Sequence, residues 1–317
     1  MNLKQLEYMT AIADERNITK AADRLFLTQS ALNQQLLKLE KELRTPLFFR
    51  TRNECIPTQA GEIYLKTARK MLRMKEDTYR QISDIADLKT GTLSVGFTPN
   101  RGSRMFSALY PGFHRSFPQV HLVPLELSVR AQQEQIASGA LDLGFVTVFP
   151  EQKKSGLTYT TLTGEEIFLA LPEKLADHLL DKSEGEIEPK SDLPAVTASA
   201  DAPHPSLDLG RLEKYPFVLM YQQSTIRRLI DRLFEEAGFT PDVLFETSST
   251  NTIITMIQAG ACCGFVPACY ADPSLENIRF FSLPSRPKWE VCACFLSGRY
   301  LSKAAREFIS QAAMYWR

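Results

Sequence analysis

Between Ile18 and Leu43 the chain reads ITKAADRLFLTQSALNQQLLKLEKEL, and this stretch restricts the possible folds more than any other. Asn17 is placed to cap a helix in which Ala21, Ala22 and Leu25 permit close backbone approach. That pattern stops at Leu27 and Thr28. Thr28 can cap a second helix, whose Leu32, Leu36, Leu39 and Leu43 recur at steps of four, three and four residues and so form one apolar stripe. The spacing predicts two helices joined by a two-residue connection, crossing steeply enough for the start of the second to protrude. The free side of that second helix carries Gln29, Ser30, Asn33 and Gln34, with Lys38 and Lys41 further along.

A protruding helix start lined by amides and hydroxyls has the shape and hydrogen-bonding capacity to read base edges in the DNA major groove, where Asn and Gln suit adenine. An amphipathic hairpin with a solvated polar face would show the same periodicity, so the flanking sequence has to decide. Upstream, Asn2 and Gln5 have the spacing of a capping box ahead of Leu3, Leu6, Met9 and Ala13, which predicts a supporting helix. Downstream, Pro46 breaks the pattern, and Leu47 to Phe49 lead through Arg50, Thr51, Arg52 and Asn53 to Ile56, a short ribbon with a polar tip. The formal net charge of the 317 residues is zero, yet it is unevenly placed. The first eighty residues hold 15 Lys and Arg against 10 Asp and Glu, and the remainder holds 22 against 27. The basic excess accompanies the helix pair, where neutralising phosphates requires it.

From Met1 to about Leu72 the order and spacing of the AAxxL helix, the TQSAL turn, the QxxxLE continuation, PLFFR and TQAG resemble the winged helix-turn-helix of LysR-type transcriptional regulators. Ser30 stands where that family often has Pro, and Asn33 where it often has Ser. The resemblance implies double-stranded promoter DNA as a partner. Thr28, Gln29, Ser30, Asn33, Gln34 and Lys38 are expected at its bases and backbone, and Arg50 and Arg52 on the backbone or in the minor groove beside them.

From Thr58 to about Leu88, Ala60, Tyr64, Thr67, Met71, Met74, Thr78, Ile82 and Ile85 recur at three- and four-residue steps with no Pro, which predicts one long helix. A helix too long for a small domain needs something to cover its apolar stripe. In the family that is an antiparallel second copy, so a homodimer or homotetramer is expected. The resulting organisation is a winged helix-turn-helix over 1–58, a linker helix over 59–90 and an effector domain over 91–317, with lobe I about 91–165 and 268–317 and lobe II about 166–267.

After Gly91 short apolar runs alternate with helical segments, an α/β pattern. Strands are expected at 93–97, 120–127, 141–148, 167–171, 217–220, 243–245, 264–267 and 291–296, and helices near 104–116, 132–138, 226–237, 252–259 and 302–315. The phrases LSVGF, IASGALDLGF, EEAGFTPDV and TMIQAGACCGFVP resemble the LysR-type effector domain, two periplasmic-binding-protein-like lobes joined by two crossovers. The segment 175–209, rich in Pro, Ser, Asp and Glu, is longer than that family needs and reads as a surface excursion.

Open two-lobe α/β domains leave polar groups unpaired at strand ends beside helix starts. Four stretches qualify here: 98–103, 128–130, 222–225 and 248–250. They nominate Thr98, Asn100, Arg101, Ser128, Val129, Arg130, Gln223, Ser224 and Ser249 as effector-binding residues, with Arg101 or Arg130 as counter-charge to a small organic anion and Phe265 as an apolar wall. Each of the hydroxyls could equally be a helix cap.

An enzyme would need a constellation that is missing. The four histidines sit in no nucleophile, metal or phosphate-loop motif, and Asp142 reads as a strand-end anchor. The six cysteines show no metal spacing and read as reduced packing residues, so no cofactor and no metal is expected. With neither a leader nor a membrane-length apolar run, the expected location is the cytoplasm. RNA polymerase is a further expected partner if the outcome is activation. The alternative reading is a solute-type binding protein with an accessory helical domain, which leaves the first ninety residues unexplained.

Overall fold

A computed structural model describes residues 2–51, 54–181, 196–197 and 204–316. The head begins with α1 (Leu3–Glu15), where Asn2 Oδ1 accepts from Gln5 N at 2.9 Å and Gln5 Oε1 from Asn2 N at 3.0 Å, the reciprocal capping box. Asn17 caps α2 (Ile18–Arg24) through Thr19 and Lys20, and Thr28 caps α3 (Gln29–Leu43) through Ala31. The connection, Leu25 to Thr28, is longer than the two residues expected. Its cause is a closing turn: Leu27 N donates to Ala22 O at 2.9 Å and Phe26 swings to φ +55°, the left-handed residue that ends such helices. Leu32, Leu36 and Leu39 are buried with Met9, Ile12, Ala21 and Leu65, whereas Leu43 is left largely exposed because the helix ends beside it at left-handed Arg44.

The wing is the antiparallel pair β1 (Phe48–Arg50) and β2 (Cys55–Pro57). Glu40 of α3 fixes its start by accepting from Leu47 N at 2.8 Å and Phe48 N at 3.3 Å. Thr58 then caps α4 (Gln59–Ile85), taking Gly61 N at 3.0 Å and donating to Pro46 O at 2.8 Å. At Gly61 the backbones press together so closely that a Cβ would lie 2.0 Å from Leu47 O, which explains the glycine.

The linker α4 has two unlike sides. Arg73, Glu76, Asp77, Arg80 and Asp84 fall on one face and bond to lobe I, as does Asp87 just past the helix end, while Met71, Met74, Ile82 and Ile85 on the other face are exposed, Ile85 to 86%.

In the effector domain, β3 (Thr90–Phe97), α5 (Arg101–Ser116), β4 (Gln119–Glu126), α6 (Val129–Ser138) and β5 (Leu143–Val148) form parallel strand–helix–strand units over a core of Leu93, Val95, Phe113, Leu143 and Phe308. Next, β6 (Leu157–Pro172) runs unbroken out of lobe I and into lobe II. Only its second half is legible in the sequence, because residues 158–166, TYTTLTGEE, are mostly polar and contain no apolar run. It leads to α7 (Glu173–Asp181), a helix where the sequence reads as surface excursion, and to the short strands β7 (Val196–Thr197) and β8 (Ser206–Leu207); residues 182–195 and 198–203 of that excursion lie outside the described residues. Lobe II is completed by β9 (Pro216–Met220), α8 (Arg227–Ala237), β10 (Asp242–Thr247), α9 (Thr250–Gln258), β11 (Gly264–Pro267) and the unforeseen β12 (Ile278–Ser282). The return strand β13 (Lys288–Leu296) pairs with β5 and with β6 through Glu166, and α10 (Lys303–Tyr315) closes lobe I. From Ile167 onward β6 instead pairs with β11 and β12, so the lobes divide along one strand. No helix of the described residues is long and apolar enough to cross a membrane. All six cysteines are free thiols; five are buried, Cys269 is exposed, and burial raises Cys262 to about 11 and Cys263 and Cys294 to about 12.

Candidate DNA-reading face and interlobe cleft

At the head, the cap at Thr28 leaves α3 to begin in solvent, and Thr28, Gln29, Ser30, Gln34 and Lys38 are all exposed. Asn33 is half-buried, for a reason that lies in the wing: Arg50 Nη1 donates to its Oδ1 at 3.2 Å while Arg50 Nη2 bonds Glu40. The sequence leads one to expect Arg50 to reach outward to DNA. Instead its guanidinium folds back on α3, because Glu40 and Asn33 offer it two acceptors one helical stretch apart, and the Asn33 amide NH2 is turned to donate. Arg52 lies outside the described residues.

Between the lobes is a cleft of about 180 Å³. Lobe I brings Thr98, Asn100 and Arg101 from the end of β3, and Ser128 and Val129 from the start of α6; lobe II brings Gln223 and Ser224. Ser128 also caps α6 through Ala131 N at 3.3 Å, so it serves both roles. The hydroxyl oxygen of Ser224 is buried without a hydrogen-bond partner among the described residues.

Three nominated residues are elsewhere. Arg130 is 81% exposed and pairs with Glu134 one turn on at 2.9 Å, since position two of α6 points away from the cleft. Phe265 is 1% exposed and packs on Phe217 and Phe234 in the core of lobe II, and the cleft wall is instead taken by Pro267, at the end of the same strand. Ser249 is spent on capping α9 through Thr252 N at 3.2 Å, and its neighbours Ser248 and Thr250 line the cleft. Sequence reading missed Thr147, Tyr221, Tyr270 and Trp289, which arrive from four separate elements. Only Tyr221 had a local signal, standing at the end of β9 just before the polar run Gln222 to Thr225.

Behind the cleft stands Glu165, buried on β6 at the crossover. Its carboxylate accepts from Cys269 N at 2.7 Å in the segment between β11 and β12, from Trp289 Nε1 at 2.6 Å at the start of β13, and from Arg101 Nη1. A second buried charge cluster joins lobe I to α4. Asp142 accepts from Ser94 N and Oγ, both at 2.9 Å, and pairs with Arg80 and Arg299, both at 2.8 Å. Arg299 is 3% exposed in its side chain and also reaches Glu76 and Asp77 at 3.3 Å.

Two family descriptions match this arrangement: a bacterial regulatory helix-turn-helix protein of the lysR family over residues 3–62, and a LysR substrate binding domain over 86–317. The uncharacterized HTH-type transcriptional regulator YcgK of Bacillus subtilis is 26% identical over 309 residues, covering 98% of this chain and 93% of its own length. Among solved structures, full-length CbnR with its target DNA is 22% identical with a TM-score of 0.55, over 99% of each chain. A full-length OxyR variant from Pseudomonas aeruginosa is 21% identical with a TM-score of 0.63, over 100% of this chain and 98% of that one. At these identities the two structures speak to the shared fold.

Proposed function

The chain belongs to the LysR family of bacterial transcriptional regulators, with a helix-turn-helix head and an effector-binding domain, and from that premise we propose how its parts divide the work. Gln29, Ser30, Asn33 and Gln34 read bases in promoter DNA, because they line the solvent-facing start of α3. Thr28 and Lys38 hold the phosphates alongside. Arg50 acts through Asn33, orienting the amide that reads the base. The apolar face of α4 pairs with a second copy, giving a homodimer and, by the same symmetry rules, a homotetramer on two-fold operators.

The effector is a small organic anion seated between Thr98, Ser128, Ser224 and Thr250, and its binding changes the set of the two lobes and hence of α4 on DNA. RNA polymerase is the further partner where the outcome is activation. The observation that carries this reading is the rigid connection: buried ion pairs tie α4 to the same lobe I that forms half of the cleft. The test is to map promoter fragments bound by the full chain at several salt concentrations, then to screen metabolites of the adjacent genes for thermal stabilisation. Affinity should fall steeply with salt, and a true effector should raise Tm in proportion to the logarithm of its concentration. A salt-independent footprint, or an effector that stabilises the chain without altering promoter binding, is the outcome that breaks it.

A further inference from the structure

Arg101 begins α5 immediately after a strained turn. Asn100 has φ +60° and ψ −79°, and Arg101 N donates to Pro99 O at 2.8 Å, the pattern of a classical γ-turn. The turn delivers the guanidinium inward, where one end bonds the buried Glu165 and the plane stacks on Trp316, its carbon 4.4 Å from the ring centroid. The other edge is different. Nε and Nη2, the two donors that lie side by side along the stem, are buried and bond to nothing among the described residues. Leaving charged donors unsatisfied in a dry site is costly. Arg101 is among the residues that line the cleft, its Nε and Nη2 lying just beneath the surface there, and once a ligand displaces what covers them two parallel N–H groups match the two oxygens of a carboxylate.

We propose that the Nε–Nη2 edge of Arg101 is the receptor for a carboxylate on the effector, and that Glu165, which holds the opposite edge, carries the occupancy of that receptor to both interlobe crossovers. This rests on the reading of the cleft as the effector site. Glu165 is the positioning residue. It lies on β6 where the chain first crosses, it accepts from Cys269 of lobe II, and through Trp289 it is tied to the start of β13, where the chain returns to lobe I. A carboxylate arriving on one edge competes with Glu165 for the same positive charge, so filling the receptor loosens the very bond that sets the lobes. The cavity of about 180 Å³ suits a compact acid.

The experiment uses the full chain and a panel of compact carboxylates, beginning with phenylacetate and succinate, each against its neutral amide. Melting temperature reports binding, and promoter affinity with and without acid reports transmission. We expect an acid to raise the wild-type Tm while its amide does not. Arg101→Gln should abolish the shift, and Arg101→Lys should weaken it by about tenfold, because an ammonium cannot form the fork. Glu165→Gln should still bind the acid, yet the acid should no longer change promoter affinity. If Arg101→Gln melts without cooperativity, the double variant Arg101→Gln, Glu165→Gln removes both charges together and should fold, and it should also be blind to the acid. Equal stabilisation of wild type and the Arg101 variants overturns the receptor, as does a panel in which no acid stabilises wild type. A neutral compound that stabilises wild type and Arg101→Gln alike but not Thr98→Val keeps the cleft and removes the carboxylate receptor. Loss of acid binding in Glu165→Gln, with Arg101 intact, reduces Glu165 to a structural support.

Discussion

The two faces of α4 pose opposite problems to the same helix. On one, Arg80, Asp77 and Asp84 are matched to Asp142, Arg299, Tyr300 and Lys303 of the chain's own lobe I, and the charges are largely withdrawn from water. On the other, Met74 is 64% exposed and Ile82 and Ile85 stand with it. Charges have been buried at a cost while apolar groups are left out, the reverse of what one chain alone would favour. The polar face is an internal joint; the apolar face is the one the proposed second copy would cover. The largest effect should therefore come from the apolar side. Met74→Glu should turn the dimer into monomer by light scattering at micromolar concentration. It should also lower promoter affinity on the order of 10²-fold, because two linked half-site contacts become one. A dimeric Met74→Glu protein would place the seam elsewhere.

Next in size is the joint. Arg299→Met leaves Asp142 and Asp77 facing each other without their shared cation, and breaking a buried pair from one side costs about 3 to 5 kcal/mol. Urea unfolding should show that loss while light scattering still shows a dimer, which separates the two faces cleanly. A monomeric Arg299→Met would mean that the joint and the seam are one cooperative structure.

At the DNA face the expected effects are smaller. Gln34→Ala should change sequence preference by about 1 to 3 kcal/mol at one base position. Arg50→Ala should also alter preference, at the position read by Asn33, since the two side chains are bonded at 3.2 Å. A purely uniform loss across sequences, with a flatter salt slope, would return Arg50 to the role of a phosphate anchor.

What could be read from the sequence follows the range over which each signal acts. Asn17, Thr28 and Thr58 each cap a helix with a side chain whose partner is two or three residues away, and the leucine stripe of α3 needs only its own periodicity. The Arg50–Asn33 bond spans seventeen residues, and the three partners of Glu165 lie 64, 104 and 124 residues from it. No local pattern marks them. Arg130 and Arg101 look alike in the sequence as arginines near a helix start, and the structure separates them by which way one turn of helix faces. Strand β6 shows the remaining limit: its first half is polar because it runs at the margin of lobe I's sheet, where pairing with β13 rather than apolar burial holds it in place.

The smallest expected effect lies at the head's own contact with α4. Further toward its start, Arg69 pairs with Asp14 of α1 at 2.8 Å, the same distance as the Arg299–Asp142 pair. Geometry alone would rank the two pairs equal. Burial does not: the Arg69 and Asp14 side chains are 31% and 37% exposed, against 3% and 11% for Arg299 and Asp142. In water-rich surroundings the attraction is screened and part of it is lost to ordering two long side chains, so such pairs contribute about 0.2 to 1 kcal/mol. A double-mutant cycle through Arg69→Ala and Asp14→Ala should give a coupling in that range, shrinking further as salt is raised from low to high. The cycle through Arg299 and Asp142 should give a larger value that salt hardly moves, because the charges are out of reach of ions. Coupling energies that come out equal, or that respond to salt alike, would show that exposure does not separate the head's grip on α4 from lobe I's.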